Sequence, residues 1–220
     1  MILLPFLFFV VVIGIIIVVA VVAHQKEKER TQQMQAVAAH LGWAFAPNPP
    51  LAMIPNFNHF SLFSYGHSKN IKNMMYGEAN GVKAAVFDYV YVTGSGKHRH
   101  THHHSVVYLE PQQLRIPYFS LRPEGFMHKL ISAFGYQDID FTHRPDFSKN
   151  YLLRGQDEQA IRMMFHDNLL SFYEVNQGVC TEGGGNQLLI YRENFRVQPQ
   201  DVQQYVGWGL GVMNLFPRSW

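Results

Sequence analysis

The chain has 220 residues, of which 47% are hydrophobic and 15% are charged, and its formal net charge is +2. Acidic and basic residues are interspersed along it, so it lacks the extended basic surface that nucleic-acid binding needs, and we predict no nucleic-acid partner. The single cysteine, Cys180, excludes an internal disulfide framework. It agrees with a reducing compartment and equally with a periplasmic domain that has no disulfide.

The first predicted element is a transmembrane helix at residues 1–23. Residues 2–23 carry no charged side chain, and as a helix they would span about 30 Å, the thickness of a bilayer's hydrocarbon core. A cleaved signal peptide is the alternative, because residues 21–23 would pass as a small-residue cleavage site. No Lys or Arg precedes the apolar run, however, and the run is longer than the roughly 7–15 apolar residues of a signal peptide.

Basic residues set the predicted orientation of this helix. Lys26, Lys28 and Arg30 follow the apolar run, and only the α-amino group precedes it. Basic flanks stay on the cytoplasmic side of a membrane. The rest of the chain is therefore predicted to be cytoplasmic.

Residues 24–42 are predicted to extend the helix as a stalk. Apolar residues recur there at the spacing of one helical face, and Gly42 is placed to end the helix. These apolar residues are Met34, Val37, Ala38 and Leu41. Residues 43–56 hold four prolines, which cannot continue a helix, so we predict a linker there, or an extended edge segment.

Residues 57–220 are predicted to form one α+β domain. Short aromatic and β-branched runs separated by turns indicate an antiparallel β-meander. The runs lie around Phe60 and Met75 and begin near Ala84, His104 and Ile116. A helix over 157–173, a β-hairpin with its turn at 182–186 and a final helix opened by Pro199 follow. In the run from Ala84 neither face is wholly polar, so we expect both faces to be covered.

The stretch VTGSGKHRHTHHH, residues 92–104, is compatible with a phosphate loop, a metal site or a hairpin tip. A Walker loop needs a glycine where Tyr91 stands and Ser or Thr where His98 stands. Gly94 and Gly96 suit a tight turn, which favours the hairpin.

Histidines make the same stretch a candidate metal centre. On a strand, alternate residues project to one side, and a His-x-His pair can chelate Zn²⁺ or Cu²⁺. The candidate ligands are His98, His100, His102 and His104. A solvated strand end is the alternative, because His103 lies on the other side and no carboxylate or thiolate motif lies nearby.

Other residues give little support for catalysis. Asp138 and Asp140 would share one strand face, and Cys180 has no clear positive partner that would lower its pKa. The serine-hydrolase elbow and the zinc-protease helix motif are absent from the sequence. We predict no catalytic residues and no resident cofactor, apart from the Zn²⁺ or Cu²⁺ considered above.

The order of these segments resembles an uncharacterised family of bacterial single-pass membrane proteins. The motifs that carry the resemblance are AxxLGW at 38–43, GxxxGVxxxVFDYxY at 77–91, PxFSLRPE at 117–124 and DIDFxxxPxFSxxYxLRGxDExxIRxxF at 138–165. The resemblance covers most of the chain and implies a tethered α+β domain in the bacterial inner membrane, without an assigned reaction. The histidine run is not part of this pattern.

These observations predict a membrane-anchored, non-enzymatic interaction module or an accessory subunit of a membrane assembly. Its predicted partners are the lipid bilayer and a protein of unknown identity. The alternative is a small-molecule or metal-binding domain that uses the histidines of 98–104 or a pocket between the meander and the later helices. That pocket would lie near Asp138 and Asp140, or would use Tyr89 and Tyr91.

Overall fold

A computed structural model describes residues 3–126 and 138–217 of the chain. The helices are α1 (Leu3–Leu41), α2 (Pro145–Asn150), α3 (Glu158–Met164), α4 (Asp167–Val175) and α5 (Val202–Met213). The strands are β1 (Ala44–Ala46), β2 (His67–Ala79), β3 (Val82–Thr93), β4 (His100–Glu110), β5 (Ile116–Pro123), β6 (Tyr151–Gly155), β7 (Val179–Gly185) and β8 (Gln187–Arg192). The predicted α+β class is confirmed.

All eight strands form one antiparallel sheet in the order β1-β2-β3-β4-β8-β7-β5-β6. The expected meander is confirmed from β2 to β4, with β1 added at its edge. The expectation that β5 continues it is wrong, because the β7–β8 hairpin lies between β4 and β5. Val107 of β4 pairs with Ile190, and Leu121 of β5 pairs with Thr181. Strand propensity locates strands but does not select their partners.

The two faces of the sheet are covered by different parts of the chain. One face packs against the helices, in a core that includes Met34, Val107 and Leu210. The other is covered by short 3-10 turns within residues 51–63, whose Phe60 and Phe63 pack on tyrosines of the sheet. The expectation that both faces of β3 are covered is confirmed, and we call residues 51–65 the cap segment.

Several local predictions were wrong. The run around Phe60 forms 3-10 turns rather than a strand, after Asn56 adopts a left-handed conformation (φ 55°). The single helix expected over 157–173 is two helices, α3 and α4, because Phe165 leaves helical geometry at ψ 62° and turns into the core. We did not predict β1, which falls in the expected linker, or α2 and β6.

Helix α1 includes the segment predicted as a stalk. The helical part of that prediction is confirmed, and the segment also enters the core, because the side chains of Met34 and Ala38 are fully buried on the sheet. The apolar residues 11–23 of α1, which precede this segment, are largely exposed: Ile16 and Val19 are each 61% accessible. The domain boundaries at residues 23, 42 and 56 stay predictions.

The transmembrane prediction begins at residues 1 and 2, which lie outside the described part of the chain. Within residues 3–126 and 138–217, the structure contains no helix that is long and apolar enough to cross a membrane.

Candidate functional site

Asp88 of β3 is the centre of a buried polar cluster between α1 and the sheet. Its carboxylate is 1% exposed and accepts two hydrogen bonds of 2.8 Å from the Arg30 guanidinium. The other donors are Arg196 (3.1 Å), Asn73 (2.9 Å) and Ser105 (2.8 Å). Burial opposes ionisation, but these donors outweigh it and hold the pKa of Asp88 below its ordinary value. Asp88 is thus a structural anion that fixes α1.

A second ion pair extends this cluster along α1. Arg196, in the loop before α5, donates to both carboxylate oxygens of Glu27, at 2.6 and 3.1 Å. The hydrogen bond from Arg196 is the main cause that lowers the pKa of Glu27. Arg30 also donates to the carbonyl oxygen of Val197 at 2.9 Å. Three separate parts of the chain are therefore joined at this point.

A buried ion pair on the opposite face holds the cap segment. Arg122 of β5 donates to Glu182 of β7, and both side chains are almost fully buried. Glu182 also accepts hydrogen bonds from the Ser61 hydroxyl (2.9 Å), the Leu62 amide (3.1 Å) and the Tyr191 hydroxyl (3.0 Å). The ring of Tyr65 lies 4.3 Å from the guanidinium carbon. Each of these contacts has a structural role, because together they attach the cap segment to the sheet.

Tyr89 and Tyr91, considered for a pocket beside the helices, lie instead on the face under the cap segment. Their hydroxyls are buried without a hydrogen-bond partner among the described residues, and burial raises the pKa of each above its ordinary value. Burial likewise raises the pKa of Cys180 to about 12, so this thiol is not an activated nucleophile. None of these three groups is prepared for acid, base or nucleophilic chemistry.

Asp138 and Asp140 lie outside any strand, so the predicted shared strand face is wrong. The Asp138 carboxylate accepts a hydrogen bond from the Leu153 amide (2.9 Å) and thereby binds the backbone of β6. Burial is the main cause that raises the pKa of Asp138. Asp140 contributes its backbone oxygen to Arg162 at 2.6 Å. The pocket hypothesis for this pair stays a prediction.

The histidine stretch forms the predicted hairpin tip, between β3 and β4. His98 lies in a 3-10 turn and β4 begins at His100, so the expected row of four histidines on one strand loses its first member. His102 stacks on Tyr91 with ring centres 4.7 Å apart and is hydrogen-bonded to the Thr93 hydroxyl at 2.8 Å.

His104 is the most buried of the four candidate ligands. Its Nδ1 accepts a hydrogen bond from the Asn194 amide at 3.1 Å, and burial lowers its pKa to about 4. In the part of the chain that the structure describes, no three His, Cys, Asp or Glu side chains are arranged to hold a metal ion.

No family model and no curated protein matches this sequence. Its structure matches the crystal structure of the mycobacterial trehalose monomycolate transport factor A, TtfA, with a TM-score of 0.57. The two chains share a fold. The match covers 86% of this chain and 96% of the TtfA chain at 12% sequence identity. At that identity the likeness concerns the arrangement of helices and strands and assigns no residue a role.

A zinc titration tests whether the histidines form a metal site. We expect the wild-type protein and a His100→Ala/His102→Ala variant to bind Zn²⁺ with the same low affinity, because the His102 ring is engaged by Tyr91 and Thr93. Isothermal titration calorimetry would measure both. Tight binding at one equivalent by the wild type alone would establish the site and contradict this expectation.

Proposed function

We propose that this protein is a membrane-anchored, non-enzymatic accessory factor that holds its α+β domain beside a bilayer and acts through protein contacts. One observation carries the proposal. Helix α1 is continuous from Leu3 to Leu41, with exposed apolar residues over 11–23 and a second half that is fixed in the core. A contiguous exposed apolar surface marks a lipid or protein contact, and this one is joined to the domain by an unbroken helix.

The use of charged residues supports a non-enzymatic role. Asp88 and Glu182 are the most deeply buried carboxylates described above, and both are saturated with internal donors. An acid or base in catalysis needs access to a substrate and a pKa suited to proton transfer. Both carboxylates instead join segments of the fold.

The structural neighbour suggests what the accessory role concerns. TtfA is named a transport factor for trehalose monomycolate, a lipid, and we extend to this chain an accessory role in lipid transport. The proposed place is the cytoplasmic face of a bacterial inner membrane, as the basic residues after the apolar run and the family resemblance indicate. The membership of that family stays a hypothesis.

Membrane fractionation tests the anchor. We expect the wild-type protein to stay in the membrane pellet after a carbonate wash, and Ile16→Lys/Val19→Lys to move to the soluble fraction, because both side chains lie in the exposed apolar half. Gln32→Lys/Gln35→Lys adds the same charges to exposed positions of the docked half and should stay in the pellet. A soluble wild-type protein would overturn the proposal.

Two further measurements test the orientation and the accessory role. A reporter fused after Trp220 should be active if it requires the cytoplasm and silent if it requires the periplasm, and the reverse pattern would contradict the orientation.

Gentle detergent extraction, size-exclusion chromatography and mass spectrometry should find a co-eluting protein. A strictly monomeric species without partners would overturn the accessory role.

A further inference from the structure

The tip of the β3–β4 hairpin has a charge pattern that the proposed function has not used. Residues 93–103, TGSGKHRHTHH, include Lys97 and Arg99 but no acidic residue. Both cations are exposed, as are His98 and His100. No ion pair within the described structure involves Lys97 or Arg99. The tip therefore presents uncompensated positive charge to its surroundings.

Followed from its C-terminal end back towards its N-terminus, helix α1 runs along the sheet in the direction of this tip. Trp43, just after the C-terminal end of α1, donates to the Glu78 carbonyl oxygen at 3.2 Å. Glu78 lies beside the β2–β3 turn, at the end of the sheet opposite the tip. Arg30 lies 11 residues before Leu41, the last residue of α1, and is hydrogen-bonded to Asp88 in the middle of β3. From Asp88, β3 continues to Thr93 and the tip. The exposed half of α1 and the hairpin tip thus extend from the same end of the sheet.

The lengths of β3 and α1 show how far the hairpin tip and the exposed part of α1 each extend from the Arg30–Asp88 contact. The five residues from Asp88 to Thr93 cover about 17 Å at the rise of a β-strand. The same length of α-helix is about 11 residues. An α1 that continues parallel to β3 from Arg30 would therefore have Val19 roughly level with Thr93. Val19 belongs to the apolar half that the proposed function places in the bilayer.

We infer that the hairpin tip, residues 94–100, is a second membrane contact that binds the headgroups of anionic phospholipids. The inference rests on the proposed anchoring by α1. Val19 lies four residues, about 6 Å, from Ala23 at the end of the apolar run, so a tip at this level lies at the inner edge of the headgroup layer. From there the long side chains of Lys97 and Arg99 extend outward to phosphate oxygens, and clustered basic residues are drawn to anionic lipid. On α1 the exposed Lys26 and Lys28 outnumber the single exposed acid, Glu29, and Glu27 is already paired with Arg196.

Fluorescence quenching in nanodiscs tests this contact on the full chain. A dye attached through Ser95→Cys reports on the exposed tip, and one attached through Gln113→Cys reports on an exposed loop at the opposite end of the sheet. Buried Cys180 should take up no dye, which the wild-type protein checks. The discs contain phosphatidylglycerol and phosphatidylcholine, or phosphatidylcholine alone, with a nitroxide quencher on the headgroup.

The contact predicts that the dye at position 95 is quenched in anionic discs at least about twofold more than the dye at 113. Neutral discs, or Lys97→Gln/Arg99→Gln, should remove this excess quenching. Lys83→Gln/Arg115→Gln, which deletes two charges near residue 113, should leave it unchanged. Incorporation into the disc is measured separately by size-exclusion chromatography, so that it reports on α1 alone.

Two outcomes would overturn the inference while the anchor stands. One is a protein that enters the discs but has no quenching at position 95. The other is quenching that is equal in neutral and anionic discs or that survives the loss of Lys97 and Arg99. A protein that fails to enter either kind of disc would overturn the anchor itself, and the headgroup contact with it.

Discussion

Replacing Arg122 by methionine is expected to lower the free energy of unfolding by about 3–5 kcal/mol, because it leaves the Glu182 carboxylate buried without its cation. Glu182 would keep its bonds from Ser61, Leu62 and Tyr191, but neutral donors compensate a buried charge only in part. Urea unfolding of the full chain in detergent, followed by tryptophan fluorescence, would measure the loss.

Two variants show whether this loss comes from the unpaired charge. Adding Glu182→Gln to Arg122→Met removes that charge, so the double variant should be more stable than the Arg122→Met single variant. Lys83→Gln breaks an exposed ion pair with Glu110 and should cost about 0–1 kcal/mol. An Arg122→Met protein as stable as Lys83→Gln would show that losing the cation of the buried pair costs no more stability than losing that of an exposed pair.

Asp88→Asn is the second change with a large expected effect. It leaves Arg30 and Arg196 facing a neutral amide, and we expect about 3–5 kcal/mol of destabilisation at pH 7. Arg30 fixes α1 to the sheet through this carboxylate, so amide hydrogen exchange in residues 24–41 should accelerate more than exchange in β7 and β8. Glu158→Gln, which breaks an exposed pair with Arg162, is the matched control and should change neither measurement substantially.

Acid should have an effect of the same kind on the wild-type protein. The folded state lowers the pKa of Asp88 below its ordinary value of 3.8. The stabilisation from this carboxylate is therefore complete above about pH 4 and is lost as the pH falls through the lower, folded-state pKa. Unfolding measured from pH 7 downwards should show a smaller loss for Asp88→Asn than for the wild type. Parallel pH profiles would mean that Asp88 does not titrate in this way.

Much of the local structure could be predicted from the sequence. Periodicity located most of the strands, and Gly94 and Gly96 identified the hairpin tip, because such patterns depend on neighbouring residues alone. The strand prediction near Phe60 was wrong because tertiary packing, and not local preference, determines the structure there. Its aromatic rings suit a strand, but they cover the sheet from a chain of 3-10 turns that Glu182 holds in place.

The buried charges were the residues that sequence reasoning missed. Asp88 stands within the apolar run AAVFDYVYV, and Arg122 ends the run IPYFSLR, so each is a charge within a strand-forming segment. A charged side chain is almost never fully buried unless it is paired. A charge within a strand-forming apolar run could therefore have been used to predict a buried ion pair. The partners could not have been named, because Arg30 and Asp88 lie 58 positions apart and Arg122 and Glu182 lie 60 apart.

The position of the β7–β8 hairpin determines when the sheet can be completed. Strands β1 to β4 form one ribbon, β5 pairs with β6, and only β7 and β8 join the two groups. Val107 of β4 pairs with Ile190 of β8, which is synthesised 83 residues later, so β4 cannot form this pairing before then. Until then β4 and β5 are open edges, and pairing across so long a separation slows folding and exposes chains to aggregation. The sheet of this domain is therefore completed only after β8 has been synthesised, when the apolar residues of α1 have long since left the ribosome and are available to a membrane first.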